Sequence, residues 1–165
     1  MAVKTVEDLF LHELSDTYSA EKQMTRSLPQ LARAAADEQL AQAFLDHLDE
    51  TRGQVERIDE IVEILNLKLK RIKCAAMEGL VEEGKDLIDG IDKGPVLDVA
   101  LIGAAQKVEH YEIASYATLI ALATKLGYTP VLPLLKASLA EEKATDEKLG
   151  KLGQAVAIEE AIQAS

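Results

Sequence analysis

The segment VEHYEIASYATL, residues 108–119, sets two glutamates and two tyrosines among small and apolar residues. On the 3.6-residue period of an α-helix, Val108, Glu112, Tyr116 and Leu119 fall on one face. That face runs back through Ala105 and Leu101 and on to Ala123, with Glu109 on its adjoining edge one turn before Glu112. A carboxylate thus stands in the middle of an otherwise apolar stripe. Burying it alone is costly, because the charged form loses its hydration.

Working outward, three more long helices show the same pattern. Residues 5–35 read as one helix, opened by Thr5 with Asp8 three residues on as a capping box. Pro29 is expected to kink or divide it. Its stripe is Phe10, Leu14, Thr17, Glu21, Met24, Leu28 and Leu31. Residues 37–65 form a second helix whose inner face reads Ala43, His47, Glu50, Gln54, Ile58, Ile61 and Leu65. Gly53 in its middle suggests close packing. Residues 66–94 read as a crossover: a basic run of Lys68, Lys70, Arg71 and Lys73, then a short amphipathic helix over 76–88. The helix carrying the opening segment spans 96–126, with Gly127 in the position after the helix end that favours glycine. A last long helix over 130–149 gives Leu135, Leu139, Glu142, Asp146 and Leu149. Gly150 and Gly153 are expected to loosen the chain before a short tail helix near 155–162.

Ala, Leu, Glu and Lys dominate, and Gly and Pro are few, so the fold class is all-α. Two helical hairpins joined by one long crossover is the order of ferritin-like bundles, and also of a generic four-helix bundle with an insertion. The 165 residues suit one domain over 1–165. A formal charge of −11, from 29 acidic and 18 basic residues, argues against binding nucleic acid or an anionic membrane surface. One Cys cannot form an internal disulfide, no apolar run is long enough to span a bilayer, and no signal segment opens the chain. A cytoplasmic location is expected.

Each long helix therefore carries a carboxylate near the middle of its inward face. Four at one depth would repel one another. Two divalent cations among them would reverse that, since hard oxygen ligands suit such ions. One Glu from each of two helices, and a Glu plus a second ligand from each of two others, is the di-metal carboxylate arrangement. The candidate metal ligands are Glu21, Glu50, Gln54, Glu109, Glu112, Glu142 and Asp146, the paired positions being Glu50 with Gln54 and Glu142 with Asp146. Assigning Glu21, Glu50, Glu112, Glu142 and Asp146 to the interior leaves 24 acidic against 18 basic residues outside, or −6.

At these residues the chain resembles the YciE/YciF family of bacterial ferritin-like proteins. The resemblance rests on LHELSDTYSAEKQ (11–23), FLDHLDETRGQVER (44–57), CAAMEGLVE (74–82), VEHYEIASYATL (108–119) and residues 135–149. It implies a bundle akin to rubrerythrin and ferritin, a homodimer, and a link to bacterial stress. In one respect the chain departs from the ferritin-like metal pattern. That pattern places His three residues after a Glu on two helices, where Gly53 and Thr145 stand here. An almost all-oxygen site is harder and less suited to late transition metals. An iron or manganese pair is the expected cofactor, with magnesium or calcium as possible occupants and redox activity in question.

The remaining residues have plainer readings. His47, one turn before Glu50, reads as a half-buried helix histidine, with a role as ligand or as hydrogen-bond partner of a ligand as the alternative. His110 points away from the stripe, towards a surface. Tyr18 and Tyr116 read as core tyrosines with satisfied hydroxyls, and Cys74 as a small buried hydrophobe. The leading functional expectation is a stress protein with a di-metal site acting on peroxide or dioxygen. The alternative is a non-enzymatic dimer acting through protein partners, and iron storage is a third.

Overall fold

Thr5 caps the first helix in both directions. Its hydroxyl accepts the Asp8 N–H at 3.0 Å, and the Asp8 carboxylate accepts the Thr5 N–H at 3.2 Å. The computed structural model describes residues 3–153 and 158–164. Its elements are α1 (Val6–Ala34), α2 (Glu38–Ile64), α3 (Ala75–Gly90), α4 (Pro95–Leu126), a 3-10 turn (Thr129–Val131), α5 (Leu132–Leu152) and α6 (Ile158–Ala164). The first three residues of the expected tail helix, 155–157, lie outside the described residues. The fold is all-α, with no strand among the described residues. Gly127 ends α4 at φ 72°, where its N–H reaches back to Ala123 and Thr124.

Contacts across the bundle fix the topology. The Ala36 and Asp37 amides after α1 meet Asp98 at the start of α4, and Phe10 near the start of α1 stacks edge-on with Tyr128 beyond the end of α4. Hence α1 and α4 are antiparallel. Asp46 meets Lys148 and Arg57 meets Ser138, so α2 and α5 are antiparallel too. With α1 and α2 joined by a tight turn, α2 and α4 must run in the same direction. The crossover therefore travels the length of the bundle. Ser15 and Ser19 of α1 accept the Lys70 and Cys74 amides, and Gln23 donates to the Cys74 carbonyl. These bonds lay the extended part of the crossover along α1, and α3 then packs on α1 and α4. One long crossover between two hairpins is the ferritin-like arrangement.

Four local expectations are corrected. Of the two outcomes expected at Pro29, division is ruled out, because α1 is continuous through it. Gly53 is not needed for close packing, because a Cβ built there meets nothing within 4 Å. Gly150 lies inside α5, and a Cβ on Gly153 would lie 3.1 Å from Ile102 Cγ2, so these glycines bring the chain against α4 rather than loosening it. The buried face of α5 is Leu135, Ser138, Glu142, Thr145 and Leu149, which leaves Leu139 and Asp146 on its edges. Ser138 and Thr145 are small and polar, so hydropathy alone does not mark them as inner positions.

The core is in two pieces. One cluster, including Met24, Leu28, Phe44, Leu48, Met77, Leu101 and Leu149, fills the end near the α1–α2 turn. The other, including Phe10, Leu14, Ile58, Leu119, Val131 and Leu135, fills the opposite end. Between them lies a layer of buried polar side chains.

Candidate metal centre

Each of the four long helices feeds this layer. α1 contributes Glu21, α2 His47 and Gln54, α4 Glu109, Glu112 and Tyr116, and α5 Glu142, all buried. Helical spacing accounts for the placement. Glu21 lies between Thr17 and Met24 on the buried face of α1, and Glu112 between Val108 and Tyr116 on that of α4. One ligand atom from each of His47, Glu109, Glu112 and Glu142 lies within 4.8 Å of those of the other three. The His47 Nε2 is 3.3 Å from Glu109 Oε1 and 3.7 Å from Glu142 Oε2. Tyr116 donates its hydroxyl to Glu21 Oε1 at 2.5 Å. Gln54 donates to Glu142 Oε1, and also to Glu141 Oε2 at 3.1 Å. Arg57 pairs with both oxygens of Glu141 at 2.7 and 2.6 Å. An ion pair at the rim is thus tied through Gln54 to the innermost carboxylate of α5.

The layer is short of donors. Among the described residues, seven buried side-chain atoms lack a hydrogen-bond partner. They are Glu21 Oε2, His47 Nε2, Gln54 Oε1, Glu109 Oε2, both oxygens of Glu112, and Glu142 Oε2. All belong to this layer. Buried polar groups are ordinarily satisfied, and an unsatisfied one costs about 1–3 kcal/mol, more if charged. Burial pushes the Glu21, Glu109 and Glu112 carboxyls well above the usual range. The charge of Glu142 adds to this in all three cases, and the Tyr116 hydrogen bond partly opposes it for Glu21. Burial, then the charge of Glu21, likewise raises Tyr116 well above an ordinary phenol.

This donor set fits divalent cations. The unpartnered atoms are lone-pair donors of the kind such ions accept, and the carboxylates of Glu21, Glu109, Glu112 and Glu142 carry the four charges that two such ions would balance.

Glu50 and Asp146 stand apart from the convergent group. The Glu50 side chain is 41 % exposed. Its Oε2 lies 3.3 Å from His47 Nδ1 and accepts the Thr145 hydroxyl at 3.2 Å. The His47 hydrogen bond holds its carboxyl below the usual range. Asp146 sits on the outer edge of α5, where Gln106 donates to it at 3.1 Å and exposed His110 lies 3.3 Å away.

His47 is only 2 % exposed, so it is not the half-buried histidine expected from sequence. Its buried neighbour Thr145 and the Arg57–Glu141 pair are also beyond the sequence reading. The available signals were the i−3 spacing of His47 to Glu50 and the doubled acid at 141–142. Cys74 is buried, as expected, and has a partner: its Sγ lies 2.9 Å from the Tyr111 hydroxyl, which donates to Asp16 at 2.7 Å. No described helix is long and apolar enough to cross a membrane.

The protein YciF of Escherichia coli strain K12 is 62 % identical over 153 residues, covering 92 % of each chain. The crystal structure of the E. coli stress protein YciF superposes with a TM-score of 0.89, covering 91 % of this chain and 95 % of that one. YcfI of Rhodopseudomonas palustris superposes at 0.86 with 43 % identity, covering 90 % and 94 %. A Xanthomonas campestris protein, 21 % identical, shares the fold with a TM-score of 0.73 over 93 % and 94 %. The family described as a domain of unknown function, DUF892, matches residues 5–162, and with these relatives it places the chain in the DUF892 family alongside YciF.

Proposed function

We propose that this protein binds a pair of divalent transition cations, iron or manganese, in the polar layer between its two apolar clusters, and that peroxide or dioxygen is the substrate class. The observation that carries the reading is the confinement of the seven unpartnered buried atoms to one layer reached by all four long helices. Glu109, Glu112, Glu142 and His47, whose ligand atoms converge, would hold the ions together with Glu21. Bound there, the ions would supply Lewis acidity and a change of oxidation state.

The chain's own residues do the rest. The carboxylates offset the charge. Tyr116 keeps Glu21 Oε1 occupied, which leaves Oε2 for an ion. Gln54, held by Glu141, fixes the rotamer of Glu142. The apolar clusters above and below exclude water. A stress-related role is carried from YciF, and the reading includes a homodimer in the cytoplasm. Light scattering after size exclusion tests the dimer.

A second reading has one observation in its favour. The raised carboxyls of Glu21, Glu109 and Glu112 favour protons when no cation is present. A metal-free bundle acting through protein partners would use that state. Elemental analysis separates the two readings. Protein purified without chelator, or reconstituted anaerobically with ferrous or manganous ion, should retain about two ions per chain after desalting. Retention of none would remove the metal reading.

A further inference from the structure

We propose that Glu50 acts through His47 as a positioning residue, holding the ring so that a bare Nε2 faces the cation and supplies the nitrogen donor that favours transition cations over magnesium and calcium. This rests on the metal reading above. It also assigns a route to nitrogen ligation in a chain with Gly53 and Thr145 where the ferritin-like pattern has histidines.

The two ring nitrogens of His47 meet different surroundings. Nδ1 lies 3.3 Å from Glu50 Oε2 and 3.4 Å from Thr145 Oγ1. Nε2 faces Glu109 and Glu142 and has no hydrogen-bond partner among the described residues. The Thr145 hydroxyl donates its one proton to Glu50 Oε2, so it offers none to Nδ1. The neutral ring is then satisfied by donating from Nδ1 to the same carboxylate oxygen, which leaves the lone pair on Nε2.

Glu50 suits this task better than direct ligation. It is half exposed and is absent from the group of converging ligand atoms around His47. It lies one turn after His47 on α2, a spacing fixed by the helix itself. A carboxylate behind a ligating histidine fixes its tautomer and raises its basicity, and losing such a partner typically costs about 10–100-fold in affinity. Imidazole suits transition cations, whereas magnesium and calcium take oxygen, so the nitrogen should set selectivity.

The test titrates cobalt(II) and calcium into the folded protein and its variants, each checked by circular dichroism. Glu50→Ala should lower cobalt affinity about 10–100-fold and leave calcium affinity unchanged. Glu50→Gln should keep most of the cobalt affinity, because its carbonyl still accepts from Nδ1–H. In a His47→Ala background, Glu50→Ala should add nothing. Histidine nitrogen NMR of the zinc-loaded wild type should show Nδ1 protonated and Nε2 bound. Additive losses, equal damage from Ala and Gln with calcium affinity falling in step, or wild-type cobalt binding by Glu50→Ala would each overturn the proposal. A wild-type protein that takes up no cobalt at all would instead bring down the metal reading on which it stands.

Discussion

Two buried carboxylates on α4 have opposite fates. Asp98, 3 % exposed, accepts the Ala36 amide at 2.7 Å and the Asp37 amide at 2.8 Å, so both of its oxygens are used and the α1–α2 turn is pinned to the start of α4. Glu112, 1 % exposed and four turns on, has no partner for either oxygen among the described residues. The first is a structural group whose burial is offset by hydrogen bonds. The second costs stability unless something besides the described protein atoms meets it. A buried acid by itself says little; the use of its lone pairs tells a structural role from a ligating one.

Four perturbations should separate the two acids. The largest effect is expected at Glu112. With free cation at roughly 1,000 times Kd, binding adds about 4 kcal/mol to stability, and Glu112→Leu should lose that increment while the chelated protein stays as stable as wild type or gains. Urea denaturation with and without EDTA measures both; a Leu variant that still responds fully to metal would make Glu112 a bystander. Asp98→Ala should cost about 2–4 kcal/mol, since it removes both charge-assisted hydrogen bonds that pin the α1–α2 turn to α4. The loss should be the same with and without EDTA, and a metal-dependent loss would blur the division drawn here.

Acidity gives the third test. The folded carboxyls of Glu21, Glu109 and Glu112 are raised above their unfolded values, so the folded metal-free protein holds more protons than the unfolded chain. Their contribution is complete below the ordinary glutamate pKa of about 4.3 and is lost as pH rises through the raised values. The chelated protein should lose stability as pH rises above the ordinary glutamate value of about 4.3, whereas the metal-loaded protein should gain, because protons compete with the ions. Parallel slopes in paired denaturation series would contradict this. The smallest effect serves as a control. Thr5→Ala removes a fully partnered cap far from the layer, and should cost about 1 kcal/mol regardless of metal and pH.

Much of this was legible in the sequence. The α1 and α4 stripes, with Glu21 and Glu112 at their centres, are buried as the helical period requires. The Thr5–Asp8 box and the Gly127 terminus are local and were readable as such. What escaped depends on distant partners. Asp98 looks like an ordinary first-turn acid until the α1–α2 turn, some sixty residues earlier, is brought against it. His47 sits on the upstream side of Glu50, whereas the familiar metal spacing looks downstream. Thr145 stands where the ferritin-like pattern has a histidine and offers only a hydroxyl, so the carboxylate of Asp146 was the stronger ligand candidate; packing against α2 turns Thr145 inward.

The crossover has a consequence for how the molecule comes apart. By making α2 and α4 run in the same direction, it divides the layer between two hairpins: Glu21 and His47 on the first, Glu109, Glu112 and Glu142 on the second. Neither half holds the full set of donors. When the acids ionise with no cation present, Glu21 repels the other three across the seam between the hairpins, which favours sub-global opening there. Cations bridging the halves would act as a clasp, and amide exchange along the α1–α4 and α2–α5 contacts would slow before exchange within either hairpin changed.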